Sequence, residues 1–360
     1  MHVGVAKTGT TYLQRLLFAN GELLRKNGVL YPGSERDSHF KASLDLRDSR
    51  FQGHRYPDSD GAWQAFVTEI NAYDGTGLVS HESLARTRRQ VIRHAVDSFT
   101  TDDVRIVLTT RDLGRQIPAV WQENVKNRNQ QTYTDFVDEI FASRDVRGSK
   151  LARFWAAQDL PRLVQRWADI VSHDNITLVT LPPPGAEREE LWRRFATAVE
   201  LPDLPYSFDI GIHNASLGAV ESELLRRLNS RLAEDLDWPA YEYRIKRLFV
   251  LETLSPLHSG APIVVPEKWH DQVREISDEM ITRLRAQGCR VIGDLDDLRP
   301  ARAPASTPLP DEISEAEMLE ASLRVLGRVA SAPPPPPATT SIRAASRVIV
   351  DRLKERLKHE

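Results

Sequence analysis

Short apolar runs alternate along the chain with longer stretches in which apolar residues recur every three or four positions. Val3, Val5 and Ala6 make the first run, Gly28 to Pro32 the second, and Leu78–Val79 the third. Val104, Ile106, Val107 and Leu108 form a β-branched fourth. Ile176 to Leu181 form a fifth, which stops at Pro182-Pro183-Pro184-Gly185. Compact runs of this kind predict strands buried on both faces. Helical spacing predicts helices over 12–27, 61–73, 84–99, 133–142, 151–172, 187–199 and 216–234, and one carrying Arg115, Ile117, Val120 and Trp121. Segment 33–60, rich in Asp, Arg, Ser and His, interrupts the alternation and reads as a long surface loop or lid. Strands alternating with helices predict an α/β fold, a three-layer sandwich with a central parallel sheet covered on both faces.

Residues 2–13, HVGVAKTGTTYL, carry the most chemistry. An apolar run enters a Lys-Thr-Gly-Thr-Thr turn, and Leu13, Leu16 and Leu17 then set a helical period. Strand, tight turn and helix start gather backbone N–H groups and the positive helix end around an anion. Lys7, Thr8, Thr10 and Thr11 add a cation and three hydroxyls, and Gly9 allows close approach of the backbone. Compared with the phosphate loop GxxxxGK[ST], Gly4 and Gly9 have the right spacing, but Thr10 replaces the lysine, which has moved to position 7. No apolar strand ends in an Asp well placed to hold magnesium, Asp112 being the nearest. The pattern fits a phosphate-bearing ligand held by lysine and dipoles without metal; a plain polar βα turn would also carry these residues.

A second motif spans residues 104–126. The fourth apolar run leaves through Thr109, Thr110, Arg111 and Asp112 into a helix. Ligands of open α/β sheets bind beyond the carboxyl ends of strands, which is where Arg111 projects. Its planar fork suits a phosphate monoester, although a pair with Asp112 would occupy it as well.

Together the two segments resemble the sulfotransferase family that uses 3′-phosphoadenosine 5′-phosphosulfate (PAPS), over roughly residues 1–300. The resemblance implies that Lys7, Thr8, Gly9, Thr10 and Thr11 hold the 5′-phosphosulfate in a P-loop-like turn and that Arg111 holds the 3′-phosphate. The family has a serine eight residues after that arginine; here it is Ala119, and Arg115, one turn earlier, is the candidate to replace it. Asn214 and Ser216, in HNASLG at 213–218, resemble the family's closing loop over the nucleotide, or else cap the helix that follows. The implied activity is sulfuryl transfer from PAPS to a hydroxyl or amine of a carbohydrate or small-molecule acceptor.

Such a transfer is an in-line displacement catalysed by positioning and electrostatics. Lys7 is the candidate for stabilising the leaving phosphate oxygen. A base belongs near the third strand exit, where LVSHESLA at 78–85 supplies His81 and Glu82 side by side. Glutamate holds this place in the glycan-type branch, so Glu82 is preferred, with His81 the alternative. Adjacent residues leaving a strand face opposite ways, so one of them faces the donor. Trp121, Gln122, Lys126 and Trp155 are candidate acceptor contacts, with helix packing as the alternative for the tryptophans and a surface pair for Glu123 and Lys126. The competing function is a P-loop-type nucleotide-binding protein or kinase relative.

The 360 residues are 41% hydrophobic, with net charge −3 and a single cysteine, Cys289. That charge argues against a nucleic-acid surface, and one cysteine precludes an internal disulfide and fits a reducing compartment. The histidines lack ligand spacing, so no metal site is expected; no run approaches a membrane span and no leader pattern is present, so a cytoplasmic enzyme is the expectation. Met1 stands only two residues before the first apolar residue, an unusually short entry into a central strand. After residue 300 a proline-rich linker with a short helix (301–340) contains five consecutive prolines at 333–337. The last segment, 341–360, reads as a basic amphipathic helix with Ile342, Ala345, Ile349, Leu353 and Leu357 on one face. It is suited to self-association, or to docking on a partner or a membrane surface.

Overall fold

A computed structural model of the chain describes residues 1–144, 152–187, 189–211, 217–232, 236–257, 262–301 and 307–331. The elements run α1 (Thr10–Ala19), α2 (Gly21–Lys26), β1 (Val29–Leu30), α3 (Ser38–Leu46), α4 (Ala62–Asn71), β2 (Thr76–Gly77), α5 (Arg89–Asp97), β3 (Ile106–Thr110) and α6 (Leu113–Lys126). They continue α7 (Tyr133–Ala142), α8 (Ala152–Gln158), α9 (Leu160–Val171), β4 (Ile176–Thr180), α10 (Glu190–Ala198), α11 (Ala219–Asn229) and α12 (Trp238–Tyr241). A π-helix (Glu242–Leu254), α13 (His270–Gln287), β5 (Arg290–Ile292) and α14 (Glu315–Ala330) complete the order.

Among the described residues the strands β1 to β5 pair in parallel. β1 pairs with β2, and β3 with β4 and β4 with β5. The N-terminal segment joins these two groups: His2 N–H donates to the Val79 carbonyl (2.7 Å), Val3 to Val107 (2.9 Å) and Val5 to Thr109 (3.1 Å). The order across the sheet is therefore β1, β2 with its 78–81 continuation, residues 1–5, β3, β4, β5. Both loops singled out by sequence, after residue 5 and after Thr110, leave adjacent strands at the same edge.

Alternate strand residues feed different cores, as the two-residue period requires. Ile106, Leu108, Ile176 and Leu178 pack with Trp63, Ile92, Leu163, Trp167 and Ile281, whereas Val107 and Val179 pack with Leu13, Leu16, Leu17, Trp192 and Phe195. A mixed α/β architecture with parallel strands results.

Several boundaries differ from expectation. The 12–27 helix breaks at Asn20, whose buried side chain donates to the Ser207 carbonyl and accepts from the Ser207 N–H. The 151–172 helix restarts at Asp159, which caps α9 by accepting from the Arg162 N–H, with Pro161 in the first turn. Segment 33–60 is not all loop: it holds α3, fixed by buried His39, Ala42, Leu44 and Leu46. Beyond 300, Ile313, Met318 and Val325 share one core with α6, α7 and α11, and the Asp311 carboxylate caps α7 through the Tyr133 and Thr134 N–H groups. That part of the expected linker is thus packed on the domain. The pentaproline and the 341–360 segment lie outside the described residues, and no described helix is long and apolar enough to cross a membrane.

Candidate active site at the strand exits

The turn after residue 5 is shaped by backbone conformation. Lys7 (φ 70°) and Gly9 (φ 78°) are both left-handed, and Gly9 precedes the first residue of α1. Ala6 and Lys7 form a hydrogen-bonded turn, and among the described residues the N–H groups of Lys7, Gly9, Thr10 and Thr11 make no backbone hydrogen bond. Free N–H groups at a helix N-terminus have the chemistry to cradle an anion.

Behind the turn runs a buried relay whose direction follows from its proton inventory. The Thr8 hydroxyl donates to the Val5 carbonyl (2.5 Å), so the Thr109 hydroxyl must donate to Thr8 (2.6 Å). His2 Nε2–H then donates to Thr109 (3.2 Å), and its Nδ1 accepts from Ser80 (2.7 Å). His2 is held neutral: burial pushes its pKa down to about 3. A Cβ on Gly4 would lie 2.9 Å from the Thr109 hydroxyl and 3.0 Å from His2 Nε2, so only glycine fits beside the relay. The Thr8 hydroxyl, expected to be a phosphate ligand, is spent here, and Thr8 is fully buried. Thr10 is nearly buried at the helix start and Thr11 is exposed.

The β3 exit and helix α6 hold the turn from the other side. The Arg111 guanidinium donates through Nη1 to the Lys7 carbonyl (3.1 Å), and the Gln116 amide to the Ala6 carbonyl (2.5 Å). The Lys7 ammonium sits 2.5 Å from a Glu123 carboxylate oxygen. Glu123 therefore pairs with Lys7 and not, as expected, with Lys126 on the helix surface. Arg111 Nε is buried without an acceptor, and burial together with Arg115 lowers its pKa to about 10. A buried cation with an unused donor, next to another cation, is poised for an anion. Arg115 is less available: it pairs with Asp112 and donates to the Pro182 carbonyl (3.1 Å). A cleft of about 640 Å³ opens beside Asp112 and Arg115, toward Pro183, His270 and Arg274, and does not reach Lys7.

At the third exit, His81 is buried and its Nδ1 accepts from the Ser83 N–H (3.2 Å). That bond occupies the imidazole lone pair and places the proton on Nε2, while burial lowers the ring's pKa. Glu82, half-buried, receives the Gln14 amide at 3.4 Å, and Gln14 also donates to the Ser80 carbonyl (3.1 Å).

The remaining candidates separate. Trp121 and Trp155 are core residues, 1% and 4% exposed, whose indole N–H groups donate to the carbonyls of Gln131 and Ile140. Their surfaces are covered by protein. Gln122 donates to the Leu217 carbonyl (2.5 Å) and to Ser222 (3.1 Å), fixing the start of α11. Asn214 and Ser216 lie outside the described residues, and the N-cap of α11 is Gly218. Lys126 stands beside Glu123 at the site. Sequence reading missed Thr109, Gln116 and Lys246; the threonine beside Arg111 and the amide one turn into α6 were the available signals for the first two. Among the described residues no group of three or more His, Cys, Asp or Glu is placed to hold a metal.

No protein-family model matches the chain, and no curated protein matches it. Among solved structures it is similar to a sulfotransferase from Alicyclobacillus acidocaldarius, with 15% identity over 67% of this chain and 96% of that one, and a TM-score of 0.38.

Proposed function

We propose that the chain is a PAPS-dependent sulfotransferase on a three-layer α/β sandwich, with a P-loop-like cradle after its first strand. The observation that carries this reading is the meeting of Lys7 and Arg111 at one sheet edge, with Arg111 Nε buried and unused. Bound PAPS supplies an activated sulfuryl group on a phosphate leaving group. The cradle N–H groups of residues 7–11 bind the 5′ end, and Arg111 binds the 3′-phosphate. Asn214 and Ser216 close over the nucleotide. Glu82 takes the proton of the acceptor hydroxyl as the new O–S bond forms and the bond to the phosphate oxygen breaks. Lys7 stabilises the charge that collects on that oxygen. Glu82 is preferred over His81 because its carboxylate accepts only the long Gln14 bond (3.4 Å) and keeps lone pairs to spare, whereas His81 Nδ1 is engaged. Lys126 contacts the acceptor.

One observation favours a nucleotide-binding protein or kinase relative instead: Ala119 provides no hydroxyl, and Arg115 is committed to Asp112 and the Pro182 carbonyl. Calorimetric titration decides between the readings. Metal-independent binding of PAP, the desulfated donor product, in the micromolar range (about −8 kcal/mol), weakened in Arg111→Ala, is the expected result. Magnesium-dependent ATP binding with PAP ignored would replace the sulfotransferase reading with the alternative.

A further inference from the structure

Beside Lys7 the structure gathers more positive charge than the protein neutralises. Glu123 accepts from the Lys7 ammonium (2.5 Å) and from the Asn127 amide (3.2 Å). The Asn127 carbonyl oxygen accepts from the Lys246 ammonium (3.0 Å), which lies 5.3 Å from the centre of the Trp238 ring. Lys126, between them on α6, makes no hydrogen bond or ion pair among the described residues. Burial lowers the pKa of both Lys126 and Lys246, and Lys7 lowers both further. Three ammonium groups thus share the Glu123 carboxylate, with exposed Glu242 as the other acid acting on Lys246. The group is open to solvent: the Lys7 and Glu123 side chains keep 31% and 36% of their surface.

Packing three half-buried cations around one anion works against the stability of the fold, and a bound anion would relieve it. Compact ammonium heads suit a carboxylate or phosphate as point charges. A chain of ring contacts links this group to the third strand exit: His81 and Phe40 (5.4 Å), Phe40 and Phe51 (5.2 Å), then Phe51 and Trp238 (5.5 Å). It joins the segment that carries Glu82 to Lys246, whose ammonium lies over the Trp238 ring.

We infer that the acceptor is an anion: its carboxylate or phosphate docks on Lys126 and Lys246, and its hydroxyl reaches Glu82. The inference rests on the sulfotransferase reading and names the acceptor's chemical class.

The test has two arms. In the first, inorganic pyrophosphate is titrated calorimetrically into PAP-saturated protein, so that the cradle is filled and only a second site responds. Binding that salt weakens, and that falls tenfold or more in Lys246→Gln and in Lys126→Gln with PAP affinity unchanged, is expected. Absence of pyrophosphate binding in the wild type, or equal binding in the variants, overturns the inference while leaving the donor site intact. Pyrophosphate binding that depends on both lysines in protein that ignores PAP would preserve the anion site and remove the sulfotransferase reading. In the second arm, labelled sulfuryl transfer compares glucose with glucuronate and N-acetylglucosamine with its 6-phosphate. Turnover favouring the charged member of a pair, with KM raised about tenfold in Lys246→Gln, is expected, and the pair that responds tells carboxylate from phosphate. Equal use of neutral and charged members overturns it.

Discussion

The two halves of the site are built differently. The donor half hangs on strand ends: Lys7 to Thr11 follow the first extended segment, Arg111 follows β3, and the Thr8–Thr109–His2–Ser80 relay ties three neighbouring sheet segments together. Its shape comes from left-handed φ values and hydrogen bonds across adjacent strands, so it is stiff before any ligand arrives. The half that we assign to the acceptor is made of side chains from α3 and the segment after it, the end of α6, α12 and the π-helix, held by ring contacts and one amide bridge. On the proposed reading the first half holds the reacting atoms and the second selects what approaches them, so that chemistry and specificity would sit on separate parts.

That division predicts a graded series of effects. Lys7→Ala should lower turnover about 10³-fold under saturating donor; turnover within tenfold of wild type would remove Lys7 from the chemistry. Glu82→Gln should cost about 10² in kcat, whereas His81→Asn, which keeps a cap for the Ser83 N–H, should stay within a few-fold. The reverse order in steady-state assays would transfer the base to His81. Arg111→Ala should weaken PAP by about 10- to 100-fold, the worth of a charge-assisted bond to a buried cation. Unchanged PAP affinity there would break the donor half.

Acid should weaken the fold beneath both halves. His2 and His39 are held neutral by burial, each with its pKa lowered to about 3, against about 6.5 in the unfolded chain. Their folded values are depressed, so the unfolded chain binds more protons between pH 6.5 and 3. Stability is full above pH 6.5 and is lost as pH falls through that window, by roughly 2 kcal/mol between pH 6 and 5. Urea melts at pH 7, 6 and 5 measure this; a flat profile would mean these rings are not buried neutral. The smallest effect sharpens the assignment of Thr8. Thr8→Val should cost about 1–3 kcal/mol of stability by breaking the relay, with PAP affinity nearly unchanged. A tenfold loss of affinity in a stable variant would return the hydroxyl to the ligand.

The alternation of apolar runs and helical spacing was enough to place most of the elements and the parallel sheet, because burial on two faces leaves a pattern in neighbouring residues. The turn after residue 5 was legible for the same reason: a glycine and a helix start occupy a few consecutive positions. The strand-exit Arg111 was legible because a buried β-branched run announces its own end. What the sequence could not convey is which side chains are already spent. Thr8 and Gln122 look like ligands until their hydrogen bonds are seen, and Trp121 and Trp155 look like a pocket until the helices that cover them are in place. Glu123 reads as a helix-surface partner of Lys126, yet it closes on Lys7 from 116 positions away, and Lys246 reaches Asn127 across 119. Side-chain contacts at such separations depend on how elements pack, and no local pattern encodes them. The sequence by itself determined the strands and the turn between them and α1, with Lys7 and Arg111 at the strand exits; the tertiary structure decided which distant groups join them, Glu123 and Lys246 among them, and which side chains are already spent, because packing and not local pattern sets those contacts.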